Sequence, residues 1–218
     1  VEEKQLFDQM CESLYAAVLS DTLDELGYRD QVMRENLNPI DPNWVVAGRA
    51  KTILSVDVHY LPEDPYAKEI EAVDSVKPNE VVIGCTNESK QNGLWGELLS
   101  TASKMRGARG AIVDGLIRDT KKIVELDFPV FATGTKPVDS QGRGLVIDYD
   151  VPVRCGGVLV NPGDVVFGDR DGIVVIPAGI VDEVVRRALD KVQRENHTRT
   201  ELLEGRTLRQ VYDKYGVL

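Results

Sequence analysis

Three short apolar runs, separated by two stretches of helical spacing, constrain the fold of this chain more than any other feature. Glu80-Val81-Val82-Ile83-Gly84, Gly110 to Gly115 and Pro129-Val130-Phe131-Ala132 read as buried strands. Between them, Leu94 to Arg106, stopping at Gly107, and Asp119 to Leu126 read as helices. A strand–helix–strand–helix–strand order with short connections implies two crossover units and a parallel sheet. The fold class is therefore α/β.

The flanks read differently. Leu6, Met10, Leu14 and Val18 recur every fourth residue, which predicts one amphipathic helix over 3–19. Ser20 or Thr22 reads as the cap of a second short helix. Thr22 and Glu25 have the capping-box spacing, and Gly27 reads as its stop. Residues 28–44 read as loop and Val45 to Val58 as strand. Val146 to Ile176 holds short strands broken by Gly156-Gly157, Asn161-Pro162-Gly163-Asp164 and Asp169-Arg170-Asp171-Gly172, which are turn signals. This part is expected to be antiparallel or mixed. A long helix is expected from Ala178 to Asn196 and a final one from about Thr200 to Lys214.

Composition narrows the function classes. The chain has 218 residues and a formal net charge of −10. Nucleic-acid binders need clustered Lys and Arg, and no basic run here exceeds two residues. No apolar stretch approaches the ~20 residues that span a bilayer. Val1-Glu2-Glu3-Lys4 lacks the pattern of a signal peptide. Cys11, Cys85 and Cys155 form no disulfide or zinc pattern. The expectation is a cytoplasmic protein with no nucleic-acid or membrane partner.

Ligands of open α/β sheets bind outside the carboxyl ends of the parallel strands. Two loops lie there. One runs from Cys85 to Leu99 and contains Gly96-Glu97-Leu98-Leu99. The other reads Asp114-Gly115-Leu116-Ile117-Arg118-Asp119. Each ends at a helix start, where free N–H groups attract anions. The second is expected to bring one guanidinium and two carboxylates together. Arg suits a substrate carboxylate, and Asp is a hard ligand for Mg²⁺ or Mn²⁺. The plainer alternative is that Asp119 caps its helix, Arg118 is solvated and Glu97 serves only the helix dipole.

At these residues the sequence resembles the RraA-like family, which includes metal-dependent 4-hydroxy-4-methyl-2-oxoglutarate and 4-carboxy-4-hydroxy-2-oxoadipate aldolases. The resemblance runs through Leu19 to Gly27, Gly48 to Thr52, Trp95 to Leu99, Gly110 to Asp119, Phe128 to Ala132, Gly156 to Asp164 and Asp171 to Pro177. It implies a single domain over 1–218, with N-terminal helices over 1–27, a β/β/α core over 45–177 and C-terminal helices over 178–218. The implied fold is a three-layer β/β/α swivelling-domain-like arrangement. It has a parallel central sheet and a smaller mixed or antiparallel one. The family also implies a homotrimer or hexamer.

Family aldolases carry an acidic residue, twenty intervening residues and then Arg-Asp. Glu97, Arg118 and Asp119 keep that spacing, although the aldolases typically have Asp at the first place. Carried over, Asp119 is the direct ligand of Mg²⁺, Mn²⁺ or another divalent cation. Arg118 grips the pyruvyl carboxylate and carbonyl. The backbone N–H groups of Gly96, Glu97, Leu98 and Leu99 hold the carboxylate, and Glu97 contacts water at the metal. A Glu from a neighbouring subunit can join this network, with Glu195 the nearest candidate.

The implied function is cleavage of a 4-hydroxy-2-oxo acid to pyruvate and a second oxo acid, with oxaloacetate decarboxylation as a side activity. The alternatives are a regulator that binds and inhibits a ribonuclease, and a family member acting on a different hydroxy or sugar acid. The regulators' pattern has an acidic residue three beyond the Asp, where this chain has Lys122. A methyltransferase finds no glycine-rich nucleotide loop after the first strand. A Schiff-base aldolase would use Lys104, Lys121 or Lys136.

Overall fold

A computed structural model describes residues 2–217; Val1 and Leu218, the ends of the expected domain, lie outside them. In chain order the elements are α1 (Glu2–Ser13), α2 (Ala16–Glu25), β1 (Asn38–Pro39), β2 (Val46–Asp57), α3 (Ala67–Asp74), β3 (Glu80–Cys85) and β4 (Gly93–Trp95). There follow α4 (Glu97–Met105), β5 (Gly110–Ile117), α5 (Thr120–Leu126), β6 (Val130–Thr135), β7 (Gly144–Tyr149), β8 (Val153–Cys155) and β9 (Val158–Val160). The last are β10 (Val165–Asp169), β11 (Gly172–Ile176), α6 (Val181–Leu203) and α7 (Leu208–Tyr215).

The main sheet has the order β1-β6-β5-β3-β2-β10-β11, with β4 added to β5 and β7 to β2. The pairs among β2, β3, β5 and β6 are parallel, as the crossover pattern requires. β7, β10 and β11 join this sheet antiparallel, and only the β8–β9 hairpin forms a separate sheet. The architecture is a three-layer β/β/α arrangement with terminal helices.

Strand alternation builds the layers. Val82, Ala111, Val113 and Val130 face the helical layer with Ile123 and Phe128. Val81, Ile83, Ile112 and Phe131 face the hairpin side with Val153, Cys155 and Val160. A third cluster joins Phe7, Met10 and Leu19 to Phe167, Ile176 and Val184, so the terminal helices cover β10 and β11. Among the described residues no helix is long and apolar enough to cross a membrane.

Several boundaries differ from the periodicity. The helix expected over 3–19 is two helices, broken at Leu14 and Tyr15. Tyr15 is extended, and the Ala16 N–H that opens α2 donates to Asp169 Oδ2 at 2.8 Å. The cap therefore comes from the β10–β11 turn. Ser20 and Thr22 lie inside α2, and the Thr22 hydroxyl donates back to Val18 O rather than capping. Gly27, at φ +88°, does stop the helix. The C-terminal helix continues to Leu203, and α7 begins only at Leu208. The turns at Asn161–Asp164 and Asp169–Gly172 are as read: Asp164 N–H donates to Asn161 O, and Asp169 pairs with Gly172.

Candidate active site

The two loops read from the sequence are joined by β4. Gly93 pairs with Leu116 and Trp95 with Ile117, and the Arg118 N–H donates to Trp95 O at 2.8 Å. Buried Trp95 anchors the junction, its indole N–H donating to Ser100 Oγ, which in turn donates to Gly96 O. This fixes the first turn of α4 beside Arg118 and Asp119.

Asp119 does not cap its own helix. It stands at the start of α5 with φ 59° and ψ 28°, and its side chain makes no cap hydrogen bond. A non-glycine residue in this region carries strain. Its carboxylate instead turns to α4 and accepts the Glu97 N–H at 3.3 Å. The approach is so close that a Cβ on Gly96 would lie 2.7 Å from Asp119 Oδ2. Gly96 is extended, at φ −146°, so space rather than backbone freedom requires glycine there.

Arg118 Nη2 lies 3.0 Å from Asp139 Oδ1, and its Nε lies 4.0 Å from Asp119 Oδ2. The pair with Asp139 is partly exposed, so it orients the guanidinium at little energy and leaves donors for an incoming carboxylate. Asp139 also accepts the Tyr66 hydroxyl proton at 2.5 Å. Burial works to raise the Asp139 carboxyl. Hydrogen bonds from Tyr66 and the Gln141 N–H, with the charge of Arg118, outweigh it and hold the group below its usual range. The same bond pushes the Tyr66 phenol up to about 12.

These groups line a cavity of about 270 Å³, formed by Tyr66, Glu69, Leu94, Gly96, Leu98, Leu99, Arg118, Asp119, Asp139 and Ser140. That is small against the ~300–1,000 Å³ of drug-sized sites, so it suits a small ligand. Glu69 is pushed up to about 7, first by burial and then by the nearby Asp139 charge. Tyr66, Glu69 and Asp139 were missed in the sequence because they lie in segments with no motif. The only available signal was a cluster of acidic residues flanking a weakly apolar helix.

The sequence-read residues divide. Gly96, Leu98, Leu99, Arg118 and Asp119 come together. Glu97 contributes its N–H, while its carboxylate accepts the Thr101 hydroxyl at 2.8 Å and does not line the cavity. Asp114 is not part of the group. β5 runs on to Ile117, so alternation points Asp114 to the hairpin side, where it is buried and accepts the Thr86 N–H and hydroxyl. Burial raises its carboxyl. Lys104 donates to Leu126 and Asp127 carbonyls, Lys136 donates to Lys90 O, and Lys121 is solvated; none of the three lines this cavity. Cys85 is pushed up to about 11 by burial, which leaves it an unreactive thiol. Glu195 pairs with the Tyr15 hydroxyl in a separate cleft between α2 and α6.

A divalent cation is what the resemblance implies at Asp119. Among the described residues no three Asp, Glu, His or Cys side chains cluster as a cage. Asp119 offers one partly exposed carboxylate that its own helix does not use. That donor suits Mg²⁺ or Mn²⁺, which take one or two carboxylates and fill the remaining positions with water or substrate oxygens. It does not suit zinc, which needs three or four protein ligands.

A family model described as RraA-like, Aldolase/RraA, matches residues 16–175. The chain belongs to the RraA-like family. Within the family it is 31% identical over 173 residues to a protein of Halalkalibacterium halodurans, provisionally named 4-hydroxy-4-methyl-2-oxoglutarate aldolase, covering 79% of this chain and 77% of that one. It is 28% identical over 204 residues to Protein DlpA of Legionella pneumophila, covering 92% of this chain but only 32% of that protein's length. Among solved structures it is similar to Streptomyces coelicolor RraAS2, described as an unusual member of the RNase ES inhibitor RraA protein family. The TM-score is 0.80 at 32% identity, over 89% of this chain and 96% of that one.

Proposed function

We propose that this RraA-like protein is a divalent-metal-dependent class II aldolase that cleaves a 4-hydroxy-2-oxo acid to pyruvate and a second oxo compound. The observation that carries this reading is the Asp119 carboxylate, held at a strained backbone position, unused by its own helix and set between Arg118 and the N-terminus of α4. A structural cap would bond its own helix; this one faces a ligand-sized cavity.

When bound at Asp119, Mg²⁺ or Mn²⁺ supplies the polarisation of the 2-oxo group and stabilises enolate charge. The chain's own residues do the rest. Arg118, oriented by Asp139, takes the substrate carboxylate. The N–H groups at the start of α4 add their dipole to the same charge. With the pyruvyl end fixed, a water acting as base takes the C4 hydroxyl proton, and the C3–C4 bond breaks and leaves its electron pair on C3. A water returns a proton to C3, and Glu97, turned to Thr101 in this structure, would have to swing towards the cavity to hold that water. Oxaloacetate decarboxylation passes through the same enolate and is the expected side activity.

The test is a coupled pyruvate-release assay over a panel of 4-hydroxy-2-oxo acids. Turnover that stops on chelation and returns with Mg²⁺ or Mn²⁺ supports the reading. No pyruvate from any of them overturns it. Undiminished turnover after chelation, with a borohydride-trapped lysine adduct, replaces it with Schiff-base chemistry. The assembly we propose is a homotrimer or hexamer, in which Glu195 of one subunit approaches the site of the next; sedimentation equilibrium reads it directly. A second reading, a regulator that binds a ribonuclease, is favoured by the similarity to RraAS2. Its mark is capture of a ribonuclease together with no turnover of any 2-oxo acid.

A further inference from the structure

The cavity lining combines two unlike groups of side chains. In the proposed reaction Arg118, Asp119 and the start of α4 take the pyruvyl half. A further part of the lining comes from the start of α3 and the loop between β6 and β7; it carries Tyr66, Glu69, Asp139 and Ser140, with Asp139 paired to Arg118. Among the residues lining the cavity, Arg118 is the one cation, and Asp139 already holds one of its nitrogens.

Resting on the aldolase reading of this site, we infer that the α3 wall binds the leaving half of the substrate and selects an uncharged, hydroxylated tail over a second carboxylate. The substrate class is then a sugar-acid-like 4-hydroxy-2-oxo acid with a single carboxylate, not a dicarboxylate such as 4-hydroxy-4-methyl-2-oxoglutarate. The products are pyruvate and a hydroxylated aldehyde. The C4 hydroxyl gives up its proton as C4 becomes the aldehyde carbon, and C3 gains a proton as it becomes the pyruvate methyl.

Charge and hydrogen-bond capacity both point this way. A second carboxylate here would face the Asp139 carboxylate and the ionised fraction of Glu69, and like charges in a partly buried site repel. A hydroxyl finds matching partners instead. Tyr66 spends its proton on Asp139, which leaves its oxygen free to accept. Burial holds Glu69 in part protonated near neutrality, so it can donate as well as accept. The charged groups that act on it are the Asp139 carboxylate and the Arg118 guanidinium, and only the last favours its ionised form.

The test compares two acids of equal length that lack a 4-hydroxyl and cannot be cleaved, 5-hydroxy-2-oxopentanoate and 2-oxoglutarate. Calorimetric titration with Mg²⁺ present is expected to show at least tenfold tighter binding of the hydroxyl-ended acid. In Glu69→Lys the ratio is expected to reverse. In cleavage, 4,5-dihydroxy-2-oxopentanoate should exceed 4-hydroxy-4-methyl-2-oxoglutarate in kcat/KM by a similar factor. Exchange of pyruvate methyl protons with deuterated water reads the pyruvyl end alone. Exchange with a preference for the dicarboxylates, or a ratio unmoved by Glu69→Lys in a folded variant, overturns this inference and leaves the aldolase reading standing. No exchange and no cleavage overturns both.

Discussion

Asp119 accepts a strained backbone and gains no helix cap from it. Replacing it should therefore cost function and not stability. Asp119→Asn is expected to lower pyruvate release by about two orders of magnitude or more. Asn tolerates the left-handed region, so the urea unfolding free energy should stay within about 0.5 kcal/mol of the parent. Gly96→Ala tests the close approach from the other side. The new Cβ must displace the Asp119 carboxylate, and a shift of that order costs about tenfold to a hundredfold in kcat/KM. Glu69 makes a pH prediction. Its folded-state value near 7 lies above the ordinary 4.5, so the cost of burying its charge is absent below about pH 4.5 and complete above pH 7. Glu69→Gln should accordingly stabilise the protein by about 1–3 kcal/mol at pH 8 and by little at pH 4.5, read from urea midpoints. Equal effects at both values would contradict this. At this scale the sequence disclosed Arg118, Asp119 and the glycine-led start of α4. It concealed Tyr66, Glu69 and Asp139, whose roles depend on one another across 73 residues between the phenol and its acceptor.

Elements were legible where one periodicity held. β3, β5 and β6 appear as apolar runs because both of their faces are buried. α3 has only eight residues and two buried apolar ones, so its stripe is too short to register, although it carries Glu69. β4 has three residues and exists only because β5 is there to pair with. The α1–α2 break is the converse case. The four-residue apolar spacing runs across it unbroken, while Asp169, 153 residues away, supplies the cap. The C-terminal elements show a local signal that does act. Thr207 and Gln210 form a capping box at the start of α7, and Tyr215 donates back to Glu201 of α6 at 2.7 Å. Thr207→Ala should cost about 1 kcal/mol. Hydrogen exchange should then accelerate over 208–215, with turnover unchanged.

At the scale of the molecule, the terminal helices are part of the core. Phe7 is fully buried, with the Arg49 and Arg109 guanidinium groups 6.0 and 5.8 Å from its ring centroid. Phe7→Ala is expected to cost about 3–5 kcal/mol and to shift one cooperative urea transition. A separate early transition for the helices would show that they fold independently. The net charge of −10 also acquires a local meaning. Inside the cavity it is concentrated: Asp119, Glu69 and Asp139 line it with Arg118 as the one cation of the lining. The sequence by itself determined the parallel crossover core, the strand ends that border the cavity and the Arg118-Asp119 pair. Each is written in local periodicity or in adjacent residues. Only the tertiary structure sent Asp114 to the other face of the sheet and brought α3 and Asp139 to the site. Which face a side chain joins depends on where its strand ends and pairs, and that is settled by packing between distant segments.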